Sequence, residues 1–124
     1  MLLDKYVMAG WGICHFPYLT NQVTNPFSYA SLNSIRPYNH HTTSTVWASI
    51  LYELYWNLLE TLPFQLDLYS ASPNHGKTLA LLLVVIGLKL QSCRPTFIMA
   101  CNAIMQAKEL LTQDQNKCAV TGVH

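Results

Sequence analysis

The sequence predicts a mainly α-helical fold with a long irregular N-terminal segment. Turn-forming residues crowd the first 42 positions, apolar residues recur at three- and four-residue spacing from Thr43 onward, and Pro63, Gly76 and Pro95 divide the remainder into three helical stretches. The expected organisation is therefore an irregular segment over 1–42 and a three-helix, bundle-like core over 43–124 that ends in a frayed tail.

Within the first segment, Gly10, Gly12, Pro17, Asn25-Pro26, Asn33, Pro37 and Asn39 interrupt any long periodic pattern. A short helix at about Leu2 to Trp11 and a turn at Tyr29 to Leu32 are the elements expected there. From Thr43 the spacing of Val46, Trp47, Ile50, Leu51, Leu54, Leu58 and Leu59 makes one apolar face, with Ser49, Glu53, Asn57 and Glu60 on the other side. This is an amphipathic helix, with Thr42, Thr43 or Ser44 as its N-cap and Pro63 as its end.

Residues 63 to 76 read as a loop, on Pro63, Ser70, Ser72-Pro73-Asn74 and Gly76. Lys77 to Gln91 forms a second helix, apolar nearly all round and so expected at the centre of the core. Pro95 suits the first turn of a third helix over Thr96 to Thr112. Its inner face is Phe97, Ala100, Ile104, Ala107 and Leu111, and Gln106, Lys108 and Glu109 turn toward water. The polar tail, Gln113 to His124, is expected to fray.

Composition narrows the function classes. Of 124 residues, 51% are apolar and 10% charged, too little polar surface to cover a self-contained core, so an apolar face meets something else. A net charge of +1 with no run of Lys or Arg argues against nucleic acid. The apolar run Leu79 to Leu90 falls short of the ~20 residues of a membrane span. No signal peptide is visible in this chain and no Asn-x-Ser/Thr acceptor occurs in it.

Ala71 to Thr78, with His75-Gly76-Lys77-Thr78 opening a helix, imitates a phosphate-binding loop. Phe64 to Leu68 is a poor strand for such a loop, and no later apolar strand ends in a magnesium-binding Asp, so the segment reads as a loop before a helix start. The His and Cys residues lack Cys-x-x-Cys or His-x-x-x-His spacing, so no metal site is assigned within this chain. Trp47 reads as core, whereas Tyr52, Tyr55 and Trp56 partly face elsewhere, as residues lining an interface would.

Five ordered segments carry a family likeness. They are Gly12-Ile13 with Phe16-Pro17-Tyr18-x-Thr20; Asn25 to Asn33; His41 with Thr45-Val46-Trp47-Ala48 and Leu51-Tyr52-Glu53-x-x-Trp56-Asn57-Leu58; Gly87 to Phe97; and Ala103-Ile104-x-Gln106-Ala107 with Asn116-Lys117-Cys118. Together they resemble the fungalysins, secreted fungal zinc endopeptidases. The resemblance implies a thermolysin-like C-terminal helical subdomain, a fragment or truncated relative of a secreted zinc metalloendopeptidase.

By that resemblance His41 is the catalytic donor to the tetrahedral oxyanion, and Asn25 and Tyr29 contact substrate; the bland alternative for His41 is a solvent-exposed loop histidine beside His40. Cys93 and Cys118 match family cysteines and flank the third helix. A helix of that length spans ~25 Å and six residues return at most ~20 Å, so a disulfide needs Cys93 alongside the helix body, and free thiols remain the alternative. The address implied is extracellular.

The sequence also departs from the family. It contains no His-Glu-x-x-His, so zinc, the cofactor of the complete family domain, has neither its ligands nor its general base here. Cys14 stands where the family has an Arg that helps hold the substrate carbonyl, and Cys101-Asn102 replaces an Arg-Asp pair. The chain is therefore expected to be inactive alone, its partner being a missing N-terminal zinc-carrying subdomain or another protein. The alternative is a degenerate, non-enzymatic interaction protein that binds a partner through an exposed apolar face.

Overall fold

The computed structural model describes residues 16, 19, 21–34, 39–67 and 69–112. A short 3-10 helix, Tyr29–Asn33, precedes three α-helices: α1 (His40–Thr61), α2 (Gly76–Leu90) and α3 (Phe97–Thr112). Among the described residues there is no strand, and the fold is mainly α. The expected helix at Leu2 to Trp11, the tail from Gln113, and Cys14 and Cys118 lie outside these residues.

The chain divides into two compact units whose boundary falls inside α1, between Glu53 and Leu54. In the first unit, α1 begins three residues before the expected start. Asn39 rather than a threonine supplies the cap: its Oδ1 accepts the His41 N–H at 2.9 Å and its carbonyl accepts the Thr43 N–H at 3.0 Å. Thr43 and Ser44 sit within the first turns instead, their hydroxyls donating back to the carbonyls of Asn39 and His41.

The buried face of this part of α1 is also more polar than its spacing suggests. Val46 is buried as expected, but Thr42, Thr45 and Ser49 are buried with it. Ser49 therefore faces inward, not outward. What makes this tolerable is pairing: the Thr45 hydroxyl donates to the His41 carbonyl at 2.8 Å, the Ser49 hydroxyl donates to the Thr45 carbonyl at 2.9 Å, and the buried Asn25 amide donates to Ser49 Oγ at 2.8 Å.

In the second unit, Leu54 and Leu58 of α1, Leu79, Ala80 and Leu83 of α2, and Ala100, Ala103, Ile104 and Ala107 of α3 form the core. Two glycines set the packing distances. A Cβ on Gly87 would lie 2.9 Å from Ile104 Cγ1 and 3.4 Å from its Cα, so α2 and α3 cross closely there. A Cβ on Gly76 would collide with the Leu58 carbonyl and reach 3.0 Å from the Leu59 Cα, which brings the start of α2 against the last turns of α1.

Thr61 ends α1 just ahead of Pro63, as expected. The loop that follows is fastened by α2. Lys77 Nζ donates to the carbonyls of Gln65 at 2.9 Å and Asp67 at 3.3 Å, lies 5.8 Å from the centre of the Phe64 ring, and is followed by Thr78, whose hydroxyl donates to the Ser70 carbonyl at 3.3 Å. The lysine and threonine of the phosphate-loop imitation are thus occupied in holding their own loop.

Three expectations for α2 and α3 need correction. Only one side of α2 is buried, since Leu81 (61%), Val85 (50%) and Leu88 (60%) remain exposed at three- and four-residue spacing. The third helix starts at Phe97 because Thr96 caps it, its Oγ1 accepting the Met99 N–H at 3.2 Å, so Pro95 precedes the cap. Lys108, expected in water, is 0% exposed, and its Nζ has no hydrogen-bond partner among the described residues.

Candidate functional site

The residues singled out by sequence gather mostly around the first half of α1. His41 occupies the opening turn of the helix and is exposed, its ring 4.4 Å from that of His40 at an interplanar angle of 44°. Its backbone is held at both ends: the N–H by Asn39, the carbonyl by the Ser44 and Thr45 hydroxyls. This fixes where the imidazole departs from the helix and leaves the ring itself in solvent.

Going down the helix from His41, every fourth residue is polar: Thr45, Ser49 and Glu53. Residues four apart share a helix face, so these four side chains form one stripe. Against its Ser49 and Glu53 end lie Leu19 and residues of the 21–28 stretch. Leu19, Gln22, Asn25, Pro26, Phe27 and Ser28, with Ser49 and Glu53, enclose a cavity of about 310 Å³.

Asn25 anchors that wall. It is 3% exposed, its Nδ2 donates to Ser49, and its Oδ1 accepts the Phe27 N–H at 3.3 Å. Phe27 in turn meets Phe16 edge-on, the ring centroids 5.0 Å apart. Asn25 thus presents a committed side chain at the cavity, and shapes it. Tyr29 is exposed at the head of the 3-10 helix, where Ser31 Oγ accepts the Ser28 N–H at 3.0 Å.

The cysteines lie elsewhere, in the second unit. Cys93 is an exposed thiol just beyond α2, and its candidate disulfide partner Cys118 lies outside the described residues. Cys101 is half-buried on α3, and burial pushes its thiol pKa up, away from nucleophilic behaviour. Among the described residues no three His, Cys, Asp or Glu side chains are placed to hold a metal ion.

The cavity was the feature least apparent in the sequence. Gln22 belongs to no motif, and Ser49 and Glu53 read there as the solvent side of an amphipathic helix. The signal that marks them is the polar repeat from His41 to Glu53.

The family model described as Fungalysin metallopeptidase (M36) matches residues 2–123. The chain belongs to the fungalysin family. Among curated proteins, it is 38% identical to Extracellular metalloproteinase 2 of Trichophyton tonsurans over 125 aligned residues, covering 93% of this chain and 20% of the relative. It is 40% identical to Extracellular metalloproteinase 9 of Coccidioides posadasii, covering 93% of this chain and 19% of that protein. This fungalysin chain therefore spans about one fifth of the length of the relatives it matches. Their names make it a relative of extracellular metalloproteinases.

Proposed function

We propose that the chain corresponds to the C-terminal helical subdomain of a secreted zinc metalloendopeptidase, and that it is catalytically silent without the zinc-carrying part. The observation that carries this reading is family membership across residues 2–123 in a chain that spans about one fifth of the length of its relatives. The partner is a zinc-carrying N-terminal subdomain, and the location extracellular.

In that assembly the task of this chain is to close the substrate cleft and supply His41. An exposed imidazole on a backbone fixed by Asn39, Ser44 and Thr45 suits a donor aimed at a developing oxyanion. Asn25 and Tyr29 line the approach, Asn25 by holding the cavity wall rather than by offering a free amide. Incubating the purified 124-residue chain with casein tests the silence: no hydrolysis is expected, and hydrolysis abolished by a chelator overturns it.

A second reading, a non-enzymatic interaction protein, is favoured by one observation. Leu81, Val85 and Leu88 make an exposed apolar stripe on α2. A chain that stays monomeric at high concentration and binds no hydrophobic dye counts against it.

A further inference from the structure

The cavity beside α1 has a chemistry of its own. Among the described residues its walls combine apolar surface from Leu19, Pro26 and Phe27 with one charged group, the Glu53 carboxylate, and none of these lining residues is a lysine or arginine. Asn25 and Ser49 are already committed to each other and to backbone. Glu53 and Gln22 are not: among the described residues neither side chain has a hydrogen-bond or ion-pair partner. The cavity thus offers a free carboxylate and a free amide oxygen beside apolar walls.

We propose that this cavity binds the side chain of an arginine in a polypeptide. The guanidinium pairs with the Glu53 carboxylate, a planar fork meeting two acceptor oxygens, while Gln22 takes a remaining N–H. The aliphatic stem lies against Leu19, Pro26 and Phe27. A volume of about 310 Å³ accommodates one such side chain and excludes a folded domain. Lysine fits less well, because a compact, strongly hydrated ammonium gains less from a paired acceptor edge.

The position gives the site a use. Glu53 lies twelve residues from His41 on one helix stripe, ~18 Å along the axis, which an extended peptide covers in about five residues. An arginine bound here anchors a peptide at a distance from the point His41 faces. The proposal rests on the metalloprotease-subdomain reading only in taking the ligand to be a polypeptide, and its test needs no hydrolysis.

The test is a titration of the full 124-residue chain with N-acetyl-arginine methylamide, followed by amide NMR shifts. Saturable shifts are expected at Gln22, Ser28, Ser49 and Glu53. Blocked citrulline, isosteric but uncharged, is expected to bind at least about tenfold more weakly, as is blocked arginine to Glu53→Gln, because a charge-assisted pair is lost. Equal binding of citrulline, or an unaffected Glu53→Gln, overturns the proposal without any variant having to be trusted alone. Absence of saturable shifts at those amides also overturns it. Methylguanidinium binding as tightly as the blocked arginine reduces the site to a bare cation trap and overturns the side-chain assignment. None of these outcomes bears on casein hydrolysis, so the two readings fail separately.

Discussion

Asn25 and Ser49, 24 positions apart, meet through a buried 2.8 Å hydrogen bond that ties the segment before the 3-10 helix to the inward face of α1. Ser49 passes the connection on by donating to the Thr45 carbonyl, and Thr45 donates to the carbonyl of His41. A polar chain therefore runs from the cavity wall to the residue that opens the helix. Ser49→Ala leaves the Asn25 amide buried without its acceptor, and is expected to cost about 1–3 kcal/mol in urea unfolding. In a double-mutant cycle with Asn25→Ala, the two losses are expected to fall short of additivity by at least about 0.5 kcal/mol. Full additivity would show that the bond carries no coupling.

The two close-packed glycines give a ranking. Gly87→Ala places a methyl 2.9 Å from an Ile104 side-chain atom, which can shift a little, and alanine gains helix propensity of up to about 1 kcal/mol. Gly76→Ala drives its methyl into the backbone of Leu58 and Leu59, which cannot move without disturbing α1. The expected loss is about 1–3 kcal/mol for Gly76→Ala and clearly less for Gly87→Ala, measured by thermal or urea unfolding. The reverse order would remove the α1–α2 contact as the tighter constraint.

Much of this architecture is legible in sequence, for identifiable reasons. The bounds of α2 and α3 fall within one residue of expectation because Gly76 and Pro95 act locally, and local chemistry is written in neighbouring residues. The inward turn of Ser49 is not, because its partner Asn25 lies 24 positions away and only the fold brings them together. The exposed side of α2 is illegible for a related reason. An all-apolar helix declares that it wants burial, but Leu81, Val85 and Leu88 do not say what should bury them. The same holds for the cavity, whose walls are assembled from residues of two separate stretches.

Arg94 stores strain at the turn between α2 and α3. Its φ of 55° lies in the left-handed region, where a side chain beyond Cβ is crowded and glycine or asparagine is favoured. Arg94→Asn is accordingly expected to raise unfolding stability by about 0.5–1 kcal/mol, and Arg94→Gly by a smaller amount because it also frees the unfolded chain. Calorimetric unfolding of the two variants checks both the sign and the order, and a loss in both would mean that the exposed Arg94 side chain makes up for its backbone.

Lys108 poses the opposite problem, a side chain in the wrong solvent rather than a backbone in the wrong conformation. Its neighbours one turn back and one position before, Ile104 and Ala107, are core residues, so the helix face that carries them carries Lys108 inward too. Burial of an ammonium without an acceptor is a cost that the rest of the fold must offset. Replacement by a flexible apolar side chain of similar length removes that cost while keeping the volume filled, so Lys108→Met is expected to stabilise the chain by about 1–3 kcal/mol. Lys108→Ala separates the two contributions: it also removes the ammonium but leaves a void, and is expected to be less stable than Lys108→Met by about 1 kcal/mol or more. Urea midpoints of the three proteins decide the matter. If Lys108→Met is instead destabilising, the ammonium is being used, and an acceptor that only the intact lysine reaches must exist in the folded chain.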